Sequence, residues 1–247
     1  MEQQQFPTEM VTLPSKGLLY SKESPLSKGE IEMKYMTARE EDILTNQNLI
    51  ENGTVIDKLL QSLIITPIDY NNLLLGDKNA ILVAARILGY GSDYEFSYQG
   101  KNHNLDLTSI NDKLLDESLI TKGKNEFNFK LPASGVEITF KLLTHGDEIN
   151  IANEVKGLKK INENSNPEIS TRMKYIITSI NSNYEKKVIR EFVDTKLLAR
   201  DSRALRNHIN TIQPDIDLSY SYEDNKGNMV KIPVPIGVTF FWPDVQV

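Results

Sequence analysis

Cysteine is missing from this 247-residue chain, which excludes disulfides, thiolate–zinc sites and cysteine nucleophiles. Histidine is scarce: His103, His145 and His208 are widely spaced, fall on different expected elements and lack any His-x-x-x-His spacing. No metal site is therefore expected. A basic excess is also absent, since 28 Lys and Arg stand against 34 Asp and Glu for a net charge of -6, the wrong balance for a general nucleic-acid binder. The longest apolar segment, Leu59 to Ile68, is interrupted by Gln61, Ser62, Thr66 and Pro67, well short of the roughly 20 residues a membrane span needs. The opening Met-Glu-Gln-Gln-Gln-Phe-Pro has neither the basic nor the apolar stretch of a secretory signal. A cytosol-like compartment is the expectation.

What is present suits a folded core. Apolar residues make up 39% and charged residues 25% of the chain, enough for one large unit or two small ones. Residues 1–36 read as an extended arm with a short strand, punctuated by Pro7, Pro14, Gly17, Pro25 and Gly29. Ile31, Met33 and Tyr35 alternate with Glu32, Lys34 and Met36, the period of a half-buried strand. The arm folds either onto the body or onto a neighbour.

A helical module is expected over 37–91. Thr37 three residues before Glu40 forms a capping-box pattern opening a helix over 37–49, and Thr54 with Asp57 repeats it for 54–65. Val55, Ile56, Leu59, Leu60, Leu63 and Ile64 make the second helix too apolar to be exposed. After a short helical turn near Leu73 to Leu75, Asp77 can cap a core helix from Lys78 to Leu88, against which 54–65 is expected to pack.

Residues 92–247 read as an α+β module forming one unit with 37–91. Tyr94, Phe96 and Tyr98 alternate into a hairpin with Leu105 and Leu107, and Ile110 to Ile120 reads as a short helix. Glu126 to Leu131 and Val136 to Leu142 form the clearest hairpin. Thr144 with Asp147 caps a helix to about Ile161, and Pro167 suits the first position of the next. Ile169, Met173, Ile176, Ile177 and Ile180 share one helical face. Further helices are expected over 188–198 and, capped by Asp201, over Ser202 to Ile212, with strands at 218–222, 229–234 and 238–242. The fold class is α+β: a mostly helical body, several antiparallel hairpins and an extended N-terminal arm.

Candidate sites are few. Gly89-Tyr90-Gly91 follows a helix, where a phosphate loop would follow a strand, so it reads as a helix C-cap. Asn52-Gly53-Thr54 matches a glycosylation sequon but reads as a turn and N-cap. Asp77 and Arg86 form either a structural salt bridge or a polar site. Residues 185–212 hold seven cations beside four acids, a local charge of +3. That suits a solvated or protein-contacting face better than a DNA-reading one, and Arg203 and Arg206 are placed to clasp partner carboxylates. Phe240, Phe241 and the single Trp242 crowd the C-terminus, where residues fray unless they staple the core or plug a neighbour.

Four stretches together resemble the baseplate hub proteins of T4-like contractile-tailed phages. They are Leu13-Pro-Ser-Lys-Gly-Leu-Leu-Tyr20, Ile31-Glu-Met-Lys-Tyr-Met-Thr-Ala-Arg-Glu-Glu-Asp-Ile-Leu44, Arg200-Asp-Ser-Arg-Ala-Leu-Arg206 and Phe240-Phe-Trp-Pro243. The resemblance implies a viral protein that builds the central hub of the tail baseplate, either as a virion subunit or as an assembly chaperone absent from the mature particle. It supplies no catalytic residue and no cofactor. An enzyme or nucleic-acid-associated protein without a linear motif is the alternative. Relatives in the broader group resemble zinc-knuckle proteins at two hairpins, with Cys-x-x-Cys pairs near Gln99 to Lys101 and Asp224 to Gly227. This chain has no cysteine there, so hydrogen-bonded turns or a partner must replace the metal.

The expected partners are other hub or tail proteins or a second copy of the chain, met in the host cytoplasm or in the virion baseplate. No nucleic acid, membrane span or small-molecule substrate is expected. The residues expected to meet partners are Phe6, Leu13, Leu18, Leu19 and Tyr20 of the arm, Arg203 and Arg206, and Phe240, Phe241 and Trp242.

Overall fold

The computed structural model describes residues 7–224 and 227–241. Phe6 and Trp242, two of the expected partner residues, lie outside the described residues.

The arm is a folded hairpin. Strand β1 (Thr8–Thr12) pairs antiparallel with β2 (Glu30–Lys34), Val11 opposite Ile31. The alternation in β2 buries Ile31 and Met33 completely. Between the strands the chain crosses itself so closely that a Cβ at Gly17, whose φ is 72°, would strike the backbone of Ser27 and Gly29.

The helix expected over 37–49 is two helices, α1 (Ala38–Leu44) and α2 (Gln47–Glu51). Thr45 turns its hydroxyl back to the Glu41 and Asp42 carbonyls, and the Asn46 side chain accepts from the Leu49 N–H at 3.2 Å, so one helix stops where the next is capped. At the start of α1, the Glu40 carboxylate accepts from the Thr37 N–H at 3.0 Å and from its hydroxyl at 2.6 Å. Thr54 makes no such cap for α3 (Val55–Leu63); Asp57 faces Tyr70 and Lys78 instead. Leu59, Leu60 and Leu63 are fully buried, and α3 packs against α1 and against α4 (Leu75–Tyr90). Helix α4 ends at Gly91, whose φ of 85° suits glycine, and the Gly91 N–H donates to the Ile87 carbonyl, the C-cap expected there.

Strands β3 (Asp93–Tyr98) and β4 (Lys101–Asp106) form a hairpin whose two-residue turn, Gln99-Gly100, has positive φ at both positions. The helix expected over Ile110 to Ile120 does not form. Asp116 accepts from the Ser118 N–H, closing a single 3-10 turn at Glu117–Leu119. Leu114 is 99% exposed, so no apolar face repays helix formation.

A three-stranded antiparallel sheet follows in the order β5 (Phe127–Lys130), β6 (Glu137–Phe140), β7 (Ile177–Ile180). Helix α5 (His145–Ile161) opens at the Thr144–Asp147 capping box. Helix α6 (Glu168–Ile176) runs directly into β7. Ile177 and Ile180, expected on the helical face, are therefore strand residues: pairing with β6 outweighs the local periodicity of a β-branched run. Helices α7 (Lys186–Thr195) and α8 (Ala199–Ile212) precede a last hairpin, β8 (Ser219–Glu223) with β9 (Met229–Pro233). The strand expected at 238–242 is a 3-10 turn over its described part, Val238–Phe240.

The architecture is thus α+β, with small antiparallel sheets among helices. Buried side chains from Leu13 to Phe241 belong to one contiguous core. Among the described residues, no helix is long and apolar enough to cross a membrane.

Candidate functional site

Helix α4 is where the N-terminal arm and the segment around Phe240 converge. At its first turn Asp77, completely buried, accepts from the Ser15 N–H (2.9 Å), the Ser15 hydroxyl (2.7 Å) and the Tyr20 hydroxyl (2.6 Å). The Tyr20 oxygen in turn accepts from the Leu74 N–H at 2.9 Å. Burial raises the Asp77 carboxyl above the ordinary aspartate value, against the lowering effect of those three donors. The Tyr20 hydroxyl is raised for the same reason, by burial first and by the neighbouring Asp77 second. Asp77 is therefore the buried anchor of the arm, where a capping role was expected.

At the far end of α4, buried Arg86 donates to the carbonyls of Phe240 (3.0 Å), Gly91 (2.9 Å) and Asp93 (3.1 Å). Its guanidinium also lies over the rings of Tyr90 and Tyr94. Asp77 and Arg86 do not pair with each other. Nine residues of helix place them about 13 Å apart along the axis, and each holds a different terminal segment.

This geometry corrects the partner assignment for five of the expected residues. Leu13, Leu19 and Tyr20 are 1%, 3% and 7% exposed, and Phe240 and Phe241 are fully buried; Leu18 is half-buried. Apart from Leu18, these side chains belong to the protein's own core, because the arm and the C-terminal segment supply apolar cover that α4 and the β3–β4 hairpin lack. Phe240 packs edge-on against Tyr94 at 4.8 Å. Arg203 and Arg206, by contrast, are exposed on α8. Arg206 donates to the Ser202 carbonyl at 3.3 Å, within its own helix, which leaves its outer edge open to a carboxylate.

Asp201, expected to cap α8, sits within its first turn. It is buried and accepts from the Ala133 and Ser134 N–H groups at 2.7 and 3.0 Å, pinning the β5–β6 turn to the helix. Burial alone would raise this carboxyl, but those donors hold it below the ordinary value.

Other polar groups have structural partners. Lys78 donates to Asp57 (2.5 Å) and to His145 Nδ1 (3.2 Å), and Tyr70 donates to Asp57 (3.0 Å). A lysine ammonium cannot accept, so Nδ1 is the unprotonated nitrogen and the ring proton lies on Nε2, 3.7 Å from Asp57 Oδ2. Burial first, then the Lys78 charge, lower the pKa of His145. The ring is 4% exposed, closed to a substrate. On the opposite face Glu154 is clasped bidentately by Arg190 (2.7 and 2.8 Å) and accepts from Tyr175, joining α5, α6 and α7. Pairings of this kind leave no linear signal in the sequence.

The two hairpins at which the resemblance implies zinc in relatives meet through rings: His103 lies 4.5 Å from Tyr222, and Phe96 lies 5.7 Å from Tyr220. The second hairpin's turn is closed by Asp224, which accepts from the Asn228 N–H at 2.9 Å. Among the described residues, no group of three or more His, Cys, Asp or Glu is placed to hold a metal ion. Comparison with protein-family models, with curated proteins and with solved structures finds no match for this chain.

Proposed function

We propose that this chain is a viral tail protein of a T4-like contractile-tailed phage, a component or assembly factor of the baseplate hub that acts through protein–protein contacts without catalysis. The observation that carries the reading is the use made of the four stretches behind the resemblance. Ser15 and Tyr20 of the first stretch anchor on Asp77. Glu40 of the second ties Lys34 (2.8 Å) to the start of α1. Asp201 of the third pins the β5–β6 turn, and Phe240 of the fourth receives Arg86. Their polar groups hold the scaffold together, as expected of a protein whose output is a shape. Among the described residues, Arg203 and Arg206 are expected partner residues that are exposed.

Mass spectrometry of purified particles, beside that of assembly intermediates captured with the tagged chain, tests the proposal. Hub or tail proteins should co-purify, and Arg203→Glu with Arg206→Glu should abolish the capture without altering the fold. Peptides in finished particles mark a subunit; peptides in intermediates alone mark an assembly factor. Absence from both overturns the reading.

A further inference from the structure

We propose that the chain self-associates head to tail, the outward loop between β4 and β5 of one copy docking in the groove between α5 and α6 of the next. This rests on two surfaces, independently of the baseplate reading.

The first surface is the loop. Residues 111–126 hold only one 3-10 turn, and structureless loops of this length in a compact protein are uncommon unless functional or disordered. This one is fastened at both ends. Lys113 N–H donates to the Asp215 carbonyl and Asp217 N–H to the Asn111 carbonyl, both at 2.8 Å; Gly123 N–H donates to the Leu18 carbonyl at 2.7 Å. The tethered stretch nonetheless turns apolar side chains outward, with Leu114 99% and Leu119 49% exposed. Exposed Asp112 precedes Leu114, Asp116 and Glu117 lie between the two leucines, and exposed Lys122 and Lys124 follow; Glu117 is paired with Lys16 and Lys113 with Asp215 within the chain. Acidic groups thus alternate with exposed leucines and two lysines follow, on a segment whose ordering cost is already met, the condition for efficient docking.

The second surface carries complementary charges. A groove of about 600 Å³ runs between α5 and α6, floored by Ile151, Ala152 and Val155. Its α5 rim bears Lys156, Lys159 and Lys160, all exposed and none ion-paired among the described residues. Glu163 lines it further on, beside Glu148 and Glu168, which are both paired with Arg172 in the same groove. Asp112 and Asp116 of the loop meet the lysine rim, its leucines the apolar floor, and Lys122 and Lys124 reach Glu163. Charge complementarity of this kind sets register and suppresses wrong partners. Because the loop and the groove are different patches, the contact is heterologous and repeats copy to copy, closing as a ring or running on as a filament.

Sedimentation velocity across a concentration series tests this on the full chain. The wild type should form oligomers that weaken as salt rises. Leu114→Glu in the loop, or Lys156→Glu with Lys159→Glu in the groove, should give monomers with unchanged circular dichroism and thermal midpoint, since these side chains are exposed. An equimolar mixture of the two variants should give a dimer and nothing larger, because one intact loop and one intact groove remain. A monomeric wild type at its highest soluble concentration overturns the proposal. So do oligomers that survive both variants, or a mixture that stays monomeric.

Discussion

Replacing Asp77 by Ala removes the acceptor on which the arm is anchored. Three buried donors lose their partner at once: the Ser15 N–H, the Ser15 hydroxyl and the Tyr20 hydroxyl, now at 2.9, 2.7 and 2.6 Å. Leaving a buried donor unmet costs about 1–3 kcal/mol, so three would reach roughly 3–9 kcal/mol if none could relax. Two effects reduce this. Both hydroxyls can rotate, and the variant no longer buries a carboxylate that lacks a paired cation, a group whose desolvation works against folding. The expected net loss is about 3–5 kcal/mol, a large share of the roughly 5–15 kcal/mol that stabilises an ordinary domain. Urea unfolding followed by far-ultraviolet circular dichroism measures it. Asp77→Asn, which keeps one acceptor oxygen and removes the charge, should lose less. Because burial raises the Asp77 pKa in the folded chain, its contribution is greatest in acid and is lost as pH rises through the folded value. The deficit of Asp77→Asn should therefore widen as pH falls. An Asp77→Ala midpoint equal to that of the wild type, at unchanged slope, would refute the anchor.

Arg86→Met should cost about 3–5 kcal/mol, since charged hydrogen bonds to three carbonyls are lost in a buried site; its urea midpoint reads this. Leu60→Ala and Leu63→Ala should each lose roughly 2–5 kcal/mol, and an unmoved midpoint for both would contradict their place in the core. The lowered pKa of His145 means that the folded chain binds fewer protons than the unfolded one. Stability should be full above the unfolded histidine value of about 6.5 and fall as pH drops below it, and His145→Asn should flatten that slope in thermal melts. Gly157→Ala, in open space within α5, should gain about 0.5–1 kcal/mol, whereas Gly76→Ala should destabilise because its Cβ would overlap the Pro214 carbonyl oxygen.

Much of this fold is legible where a local pattern and a burial pattern coincide. The Thr144–Asp147 box, the glycine stop after α4 and the alternation of the β3–β4 and β5–β6 hairpins all fall where expected. Legibility fails where two local devices compete. Thr45-Asn46 can continue a helix or end one and begin another, and only the geometry of its hydroxyl and amide decides. Ile177 fits a helical stripe and a strand equally well, and the deciding contact is β6, 37 residues earlier at Phe140. Asp77 and Asp201 show the sharpest failure. An aspartate at the start of a helix is ordinarily read as its cap, yet both side chains face away from their own helices toward backbone more than 60 residues distant. Sequence spacing is blind to that partner.

The same blindness explains why the arm and the terminal phenylalanines read as partner-binding. Neither segment has a periodicity with which to build a core of its own, so docking on something else is the physical requirement, and sequence alone leaves open what that something is. The answer lies in the polarity of α4. Its buried carboxylate offers acceptors to the arm, and its buried guanidinium offers donors to the Phe240 carbonyl, so each end takes only the segment with the matching groups. An exchange of the two would leave donors facing donors and carbonyls facing a carboxylate. Apolar burial thus makes both segments dock, and the two charges determine where. Any surface offered to a partner must then be sought where outward side chains have no such internal claim. That points to the arginines of α8, the lysine rim of α5 and the leucines of the loop before β5.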